Sequence, residues 1–98
     1  MGRAELVLHE KVIDEKGNIT ELAVWSIPAS GKVSGSVRYR LAFITPDRAE
    51  PAVLYDNHHP KGHHRHFGGV EEPYDFIDVD RLLSDFQADV ERIKGEEG

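Results

Sequence analysis

One short stretch, residues 56–66, holds five of the six histidines of the chain. The same stretch carries a carboxylate, an amide, a lysine and an arginine. Histidine gives and takes protons near neutral pH, so two histidines can serve as an acid and a base. Imidazole and carboxylate groups also bind divalent metals. The stretch is therefore the candidate functional site of the chain.

The first chemistry that these residues permit is metal-free RNA cleavage, in which a 2′-hydroxyl attacks its own phosphate. One group must accept the hydroxyl proton and another must protonate the leaving oxygen. We assign these roles to His64 and His66, which share a side if their segment is extended. Lys61 and Arg65 are the cations that would stabilise charge on the phosphate, and Asp56 would orient a histidine. This hypothesis requires no cofactor.

Five further side chains are predicted to bind substrate: Arg38, Arg40, Asn57, His58 and His63. The two arginines alternate within one predicted strand, so they project together, about 7 Å apart. They could hold flanking phosphates. The alternative is a solvated sheet face on which the arginines pair with acidic residues. Similarly, Asp56 and Asn57 could simply form an Asx turn.

The second chemistry is metal binding through His58, His64 and His66, with Asp56 nearby. This set of nitrogen and oxygen ligands suits zinc, nickel or manganese. The metal would be structural or would activate water for phosphodiester hydrolysis. The spacing matches no zinc finger. A third reading is that several histidines only cap strand ends, stack on aromatic rings or face water.

Composition limits the class of protein. The 98 residues suit one domain, and the absence of cysteine excludes disulfides and thiolate metal sites. We expect a cytoplasmic protein without a membrane segment, because the sequence has no long apolar run. The net charge of −6 argues against general coating of nucleic acid. However, residues 31–66 hold six bases and three acids, whereas residues 67–98 hold three bases and ten acids. An anionic substrate at the first region and a basic partner at the second are both compatible with this distribution.

The apolar pattern predicts an α+β fold in which a four-stranded antiparallel meander packs one face against a C-terminal helix. The strands fall within residues 4–56, the histidine-rich loop spans 56–69, and the helix spans about 79–94. Helical spacing predicts a buried stripe of apolar residues: Leu82, Leu83, Phe86, Val90 and Ile93. Trp25, Tyr39 and Phe43 are expected in the core rather than as base-stacking platforms. Free sheet edges also allow a homodimer.

Four motifs resemble the family of TumE-type toxins: Tyr55-Asp56-Asn57-His58, Pro60-Lys61-Gly62-His63-His64-Arg65-His66, Glu72-x-Tyr74-x-Phe76 and Leu82-x-x-Asp85-Phe86-x-x-Asp89-Val90. The resemblance covers about residues 50–93. It implies the toxin of a type II toxin–antitoxin pair, a ribonuclease, with a helix-turn-helix antitoxin encoded beside it. The topology is also similar to RelE-like toxins. Those toxins are usually basic, whereas this chain is acidic.

Two hypotheses follow from these patterns. The first is an RNA-cleaving toxin that uses the histidine-rich loop. The alternative is a non-enzymatic, metal-binding or partner-binding regulatory module.

Overall fold

The computed structural model describes residues 4–29, 31, 35–57 and 62–96. Within them lie six strands and one helix: β1 Glu5–Ile13, β2 Ile19–Ile27, β3 Ser36–Ile44, β4 Val53–Asp56, β5 His64–Phe67, β6 Val70–Pro73 and α1 Val79–Glu96. The strands form one antiparallel sheet in the order of the sequence. The α+β class, the antiparallel meander and the C-terminal helix are therefore confirmed.

The predicted number of four strands is wrong, because the expected loop 56–69 contains β5 and continues into β6. Gly68 and Gly69 both have positive φ, at 56° and 89°, and join Phe67 to Val70 in a two-residue hairpin. Polar side chains occupy both faces of these strands, so the apolar alternation that usually indicates a strand is missing. The cross-strand contacts of Arg65 with Glu72 and of His66 with Glu71 hold the two strands instead, together with the backbone ladders of β5 with β4 and with β6.

Alternating apolar residues direct one face of the sheet towards α1. Tyr39, Leu41 and Phe43 of β3 are fully buried, together with Tyr55 of β4. They share a core with the apolar stripe of the helix, namely Leu82, Phe86, Val90 and Ile93, and Leu83 packs against that core. The predicted stripe and the core positions of Tyr39 and Phe43 are confirmed. We call this side of the sheet the helix face and the other side the outer face.

The start of α1 follows from local polar chemistry. Asp78 precedes the helix, and its Oδ1 accepts a hydrogen bond of 2.7 Å from the backbone N–H of Arg81. None of the described segments forms a helix that is long and apolar enough to cross a membrane. The apolar stripe of α1 covers the helix face of the sheet and leaves the outer face uncovered by the helix.

Candidate functional site

A row of side chains crosses the outer face from β3 to β5. Asp56 of β4 pairs in register with Arg40 of β3 on one side and with His64 of β5 on the other. Residues paired in this way project from the same face. Asp56 and His64 are each only 8% exposed. The structure thus brings together three of the residues that the sequence predicted for the site.

Contacts with β6 extend this row into a cluster of four side chains. His64 Nε2 lies 2.8 Å from Asp56 Oδ1 and 3.7 Å from Glu71 Oε2. His66 Nε2 lies 2.9 Å from the same Glu71 oxygen, and the two imidazole rings are 5.3 Å apart between centroids. We call His64, His66, Asp56 and Glu71 the histidine–carboxylate cluster.

Two arginines flank the cluster on the outer face. Arg38 is exposed and pairs in register with Trp25, which is half-buried on the outer face rather than in the core. Arg40 Nη1 lies 3.7 Å from Glu21 Oε1, and both side chains are more than one-third exposed. Such an exposed contact contributes little to stability, so Arg40 can exchange its contact with Glu21 for a contact with a bound anion.

Arg65 does not join His64 and His66, because alternation places it on the helix face. Its Nη1 lies 3.2 Å from Asp89 Oδ2 and donates to the Tyr55 hydroxyl at 3.3 Å, and its Nε lies 2.6 Å from Glu72 Oε1. Burial lowers the Arg65 pKa, but Asp89, Tyr55 and Glu72 together raise it above its ordinary value. Arg65 therefore joins the helix to the sheet in this structure.

His63 also lies on the helix side of the sheet. Its Nδ1 and the Tyr39 hydroxyl are hydrogen-bonded at 2.8 Å, and its ring stacks on Phe76 at 4.9 Å. Burial, and then the charge of Asp56, raise the pKa of Tyr39, so the hydroxyl keeps its proton.

Asn57 bonds to the backbone of β3. Its side-chain oxygen accepts from the Tyr39 N–H at 2.9 Å, and its amide donates to the Val37 carbonyl at 2.8 Å. The side chain thereby continues the ladder past the last residue of β4. His63 and Asn57, which were predicted to bind substrate, thus have partners within the protein.

Two predicted site residues, His58 and Lys61, lie outside the described residues. Glu71 was missed by the sequence analysis. The signal that could have found it is the Gly68-Gly69 pair, since a two-residue hairpin there places Glu71 opposite His66. Asp89 was also missed as a partner of Arg65, which is distant in sequence.

The cluster has the composition of a metal centre. His64, His66 and Glu71 each offer one ligand atom, and these atoms lie within 4.8 Å of one another. Nitrogen and carboxylate ligands at such separations suit zinc and related divalent ions. The same histidines and the nearby arginines also have the chemistry to act on a phosphate.

Comparison with known proteins gives one match. The model of the family described as "Toxin TumE" matches residues 3–94, which include every described strand and nearly all of α1. Searches of the curated proteins and of the solved structures find no match. The family match spans the whole sheet and the histidine–carboxylate cluster, and the chain therefore belongs to the TumE toxin family.

Proposed function

We propose that this toxin cleaves RNA and that the reacting phosphate sits on the outer face beside His64 and His66. The observation that carries the proposal is the shared face: two histidines with ring centroids 5.3 Å apart lie on the same side of the sheet as Arg38 and Arg40. Proton-transferring groups beside guanidinium groups are what phosphodiester cleavage needs.

The two arginines on β3 are suited to bind RNA phosphates rather than to transfer protons. Adjacent outward positions on β3 place Arg38 and Arg40 about 7 Å apart, and Arg38 is exposed. Trp25, paired in register with Arg38, offers an aromatic surface for a base. A single strand of RNA lying across β3 would present some of its phosphates to the two arginines and another phosphate to the histidines.

The histidines supply the reactive centre. The His66 side chain is 31% exposed and can be reached by substrate, whereas His64 is held inside by Asp56. They act either by proton transfer, as the sequence predicts, or as ligands of an ion that activates the attacking oxygen. The EDTA arm of the experiment below separates the two chemistries.

Family membership supports a partner, because a toxin of this kind implies an antitoxin. We propose that a helix-turn-helix antitoxin inhibits the chain and that the pair acts in the cytoplasm. β1 lies at an edge of the sheet with most of its residues exposed. This edge is where a second copy would pair if the homodimer predicted from the sequence forms.

The experiment is cleavage of labelled RNA by the purified protein, with and without EDTA. His66→Ala and Arg40→Ala should each lower the cleavage rate by about tenfold or more. The control is His9→Ala, since His9 is an exposed histidine on β1 at the opposite end of the sheet from β6. Equal cleavage rates for His66→Ala and wild type would contradict the proposed site. No cleavage by folded wild-type protein would favour the non-enzymatic binding module.

A further inference from the structure

We propose that the histidine–carboxylate cluster is a binding site for one divalent transition-metal ion, with zinc as the best fit. The main ligands are His64, His66 and Glu71, whose ligand atoms lie within 4.8 Å of one another. Asp56, with Oδ1 2.8 Å from His64 Nε2, supplies a further carboxylate beside them. The site goes beyond the proposed function, because the four side chains would bind the ion whether or not the protein cleaves RNA.

The first argument is size. His66 Nε2 and Glu71 Oε2 are 2.9 Å apart, and His64 Nε2 and the same oxygen are 3.7 Å apart. Zinc bound tetrahedrally at about 2.0–2.2 Å keeps its ligand atoms about 3.3 Å from one another. These two separations bracket that value, and the ligand atoms of His64, His66 and Glu71 all lie within 4.8 Å of one another. Small side-chain shifts on adjacent strands would bring them to the separations of a zinc site.

The second argument is the orientation of the His64 ring. His64 Nδ1 lies 2.9 Å from the Gly62 carbonyl oxygen, which can only accept a hydrogen bond, so Nδ1 carries a proton. Nε2 is then the ring nitrogen available to coordinate an ion, and it faces the carboxylates of Asp56 and Glu71. A ring nitrogen this close to carboxylates carries either a proton or a metal ion. A backbone carbonyl that fixes the other ring nitrogen is the arrangement usual for metal-binding histidines.

The third argument is a buried oxygen without a hydrogen bond. Asp56 is 8% exposed, and its Oδ1 has no hydrogen-bond partner among the described residues, although His64 Nε2 is 2.8 Å away. The contact is close but is not directed as a hydrogen bond. A buried carboxylate oxygen in this position has lost its hydration, and no directed hydrogen bond from the described residues replaces it. A metal ion shared with His64 and Glu71 would supply the missing contact.

The fourth argument is charge. Asp56 and Glu71 bring two carboxylates to the cluster, and a divalent ion has the charge to match them. Such an ion is the largest local charge in its surroundings. It would make the part of the outer face beside β5 attractive to phosphate, so the metal site and the proposed RNA site are compatible. Protonated histidines paired with the carboxylates are the competing explanation of the same contacts.

The test is zinc binding by tag-free protein stripped with chelator. Isothermal titration gives the affinity, and elemental analysis after gel filtration gives the stoichiometry. Wild type should bind one equivalent of zinc and should melt at a higher temperature when zinc is present. His66→Ala and Glu71→Gln should each weaken zinc binding by about tenfold or more.

Each variant has a matched control beside it in the sequence. His63→Ala removes a histidine of the helix face, and Glu72→Gln removes a carboxylate that contacts Arg65 rather than the cluster. Both controls should bind zinc within about twofold of wild type. The proposal is overturned if folded wild type retains no zinc, or if the controls lose zinc as fully as His66→Ala and Glu71→Gln do. RNA cleavage that persists in metal-free protein would show that the ion takes no part in the reaction. The proposed RNA cleavage itself would stand.

Discussion

Arg65 of β5 and Asp89 of α1 form an ion pair across the interface between sheet and helix, with Nη1 and Oδ2 3.2 Å apart. The Tyr55 hydroxyl donates to the same oxygen at 2.6 Å, and Asp89 is only 4% exposed. His64, the chain neighbour of Arg65, projects from the other face to meet Asp56. One short strand therefore both anchors the helix and builds the histidine–carboxylate cluster.

The first prediction concerns the stability of this anchor. Arg65→Met leaves the buried Asp89 carboxylate with only the exposed Arg92, whose Nη1 lies 3.6 Å from Oδ1, so we expect the free energy of unfolding to fall by about 2–3 kcal/mol. Urea denaturation measures the change. Arg48→Met, in an exposed turn, is the control and should change stability by no more than about 0.5 kcal/mol. Equal stability of the two variants would show that the ion pair does not hold the helix.

The second prediction concerns Asn57, whose side chain bonds to the backbone of Val37 and Tyr39. Asn57→Ala leaves one N–H and one carbonyl of β3 without these partners and should cost about 1–3 kcal/mol of unfolding free energy. Asn57→Asp keeps the acceptor for the Tyr39 N–H but sets a carboxylate oxygen against the Val37 carbonyl, so this variant should also lose stability. Hydrogen exchange at the Tyr39 amide separates the two variants, since only Asn57→Ala should expose it. Unchanged protection in Asn57→Ala would contradict the assignment.

The sequence predicted the structure correctly where a single rule, the alternation of side chains along a strand, determines which face a residue takes. Alternation along β3 predicted that Tyr39 and Phe43 would be buried, and that Arg38 and Arg40 would share the other face. The same rule, applied to β5, separates Arg65 from His64 and His66. Arg65 was nevertheless grouped with the histidines because its segment was expected to be a loop.

Other features depended on contacts that no local pattern encodes. Asp89 lies 24 positions after Arg65, and only the packing of α1 on the sheet brings the two together. Glu71 meets His66 because a hairpin reverses the chain between them. From the sequence alone, every acidic residue in the last third of the chain is an equally good candidate to contact Arg65 or His66. Only the fold selects Asp89 and Glu71.

The third prediction tests that hairpin. Gly69 has φ of 89°, which an alanine adopts only with strain, so Gly69→Ala should destabilise the protein by about 1 kcal/mol or more. It should also weaken zinc binding, because the turn sets Glu71 against His66. Gly95→Ala is the matched control: it lies in α1 with open space at the Cβ position and should raise stability by about 0.5–1 kcal/mol. Unchanged zinc affinity in a destabilised Gly69→Ala would show that the turn does not position Glu71.

The fourth prediction concerns pH and Asp85 of α1, which accepts hydrogen bonds from the Tyr74 hydroxyl at 2.7 Å and from Arg81 Nε at 3.0 Å. Burial raises the Asp85 pKa, but these two donors outweigh it and hold the pKa below its ordinary value. A carboxyl with a lowered folded-state pKa stabilises the protein fully above its unfolded-state pKa of about 4, and this contribution disappears as pH falls through the folded-state pKa.

The stability difference between wild type and Asp85→Asn should therefore be largest near neutral pH and should shrink below about pH 4. Denaturation curves between about pH 7 and about pH 3 measure this difference. Tyr74→Phe removes one donor and should reduce the pH-dependent part without removing the carboxyl. A stability difference that stays constant or grows on acidification would contradict the role of these hydrogen bonds. A smaller pH-dependent part in Tyr74→Phe would show that the Tyr74 hydroxyl, which ties the connection before α1 to the helix, accounts for part of the lowered Asp85 pKa.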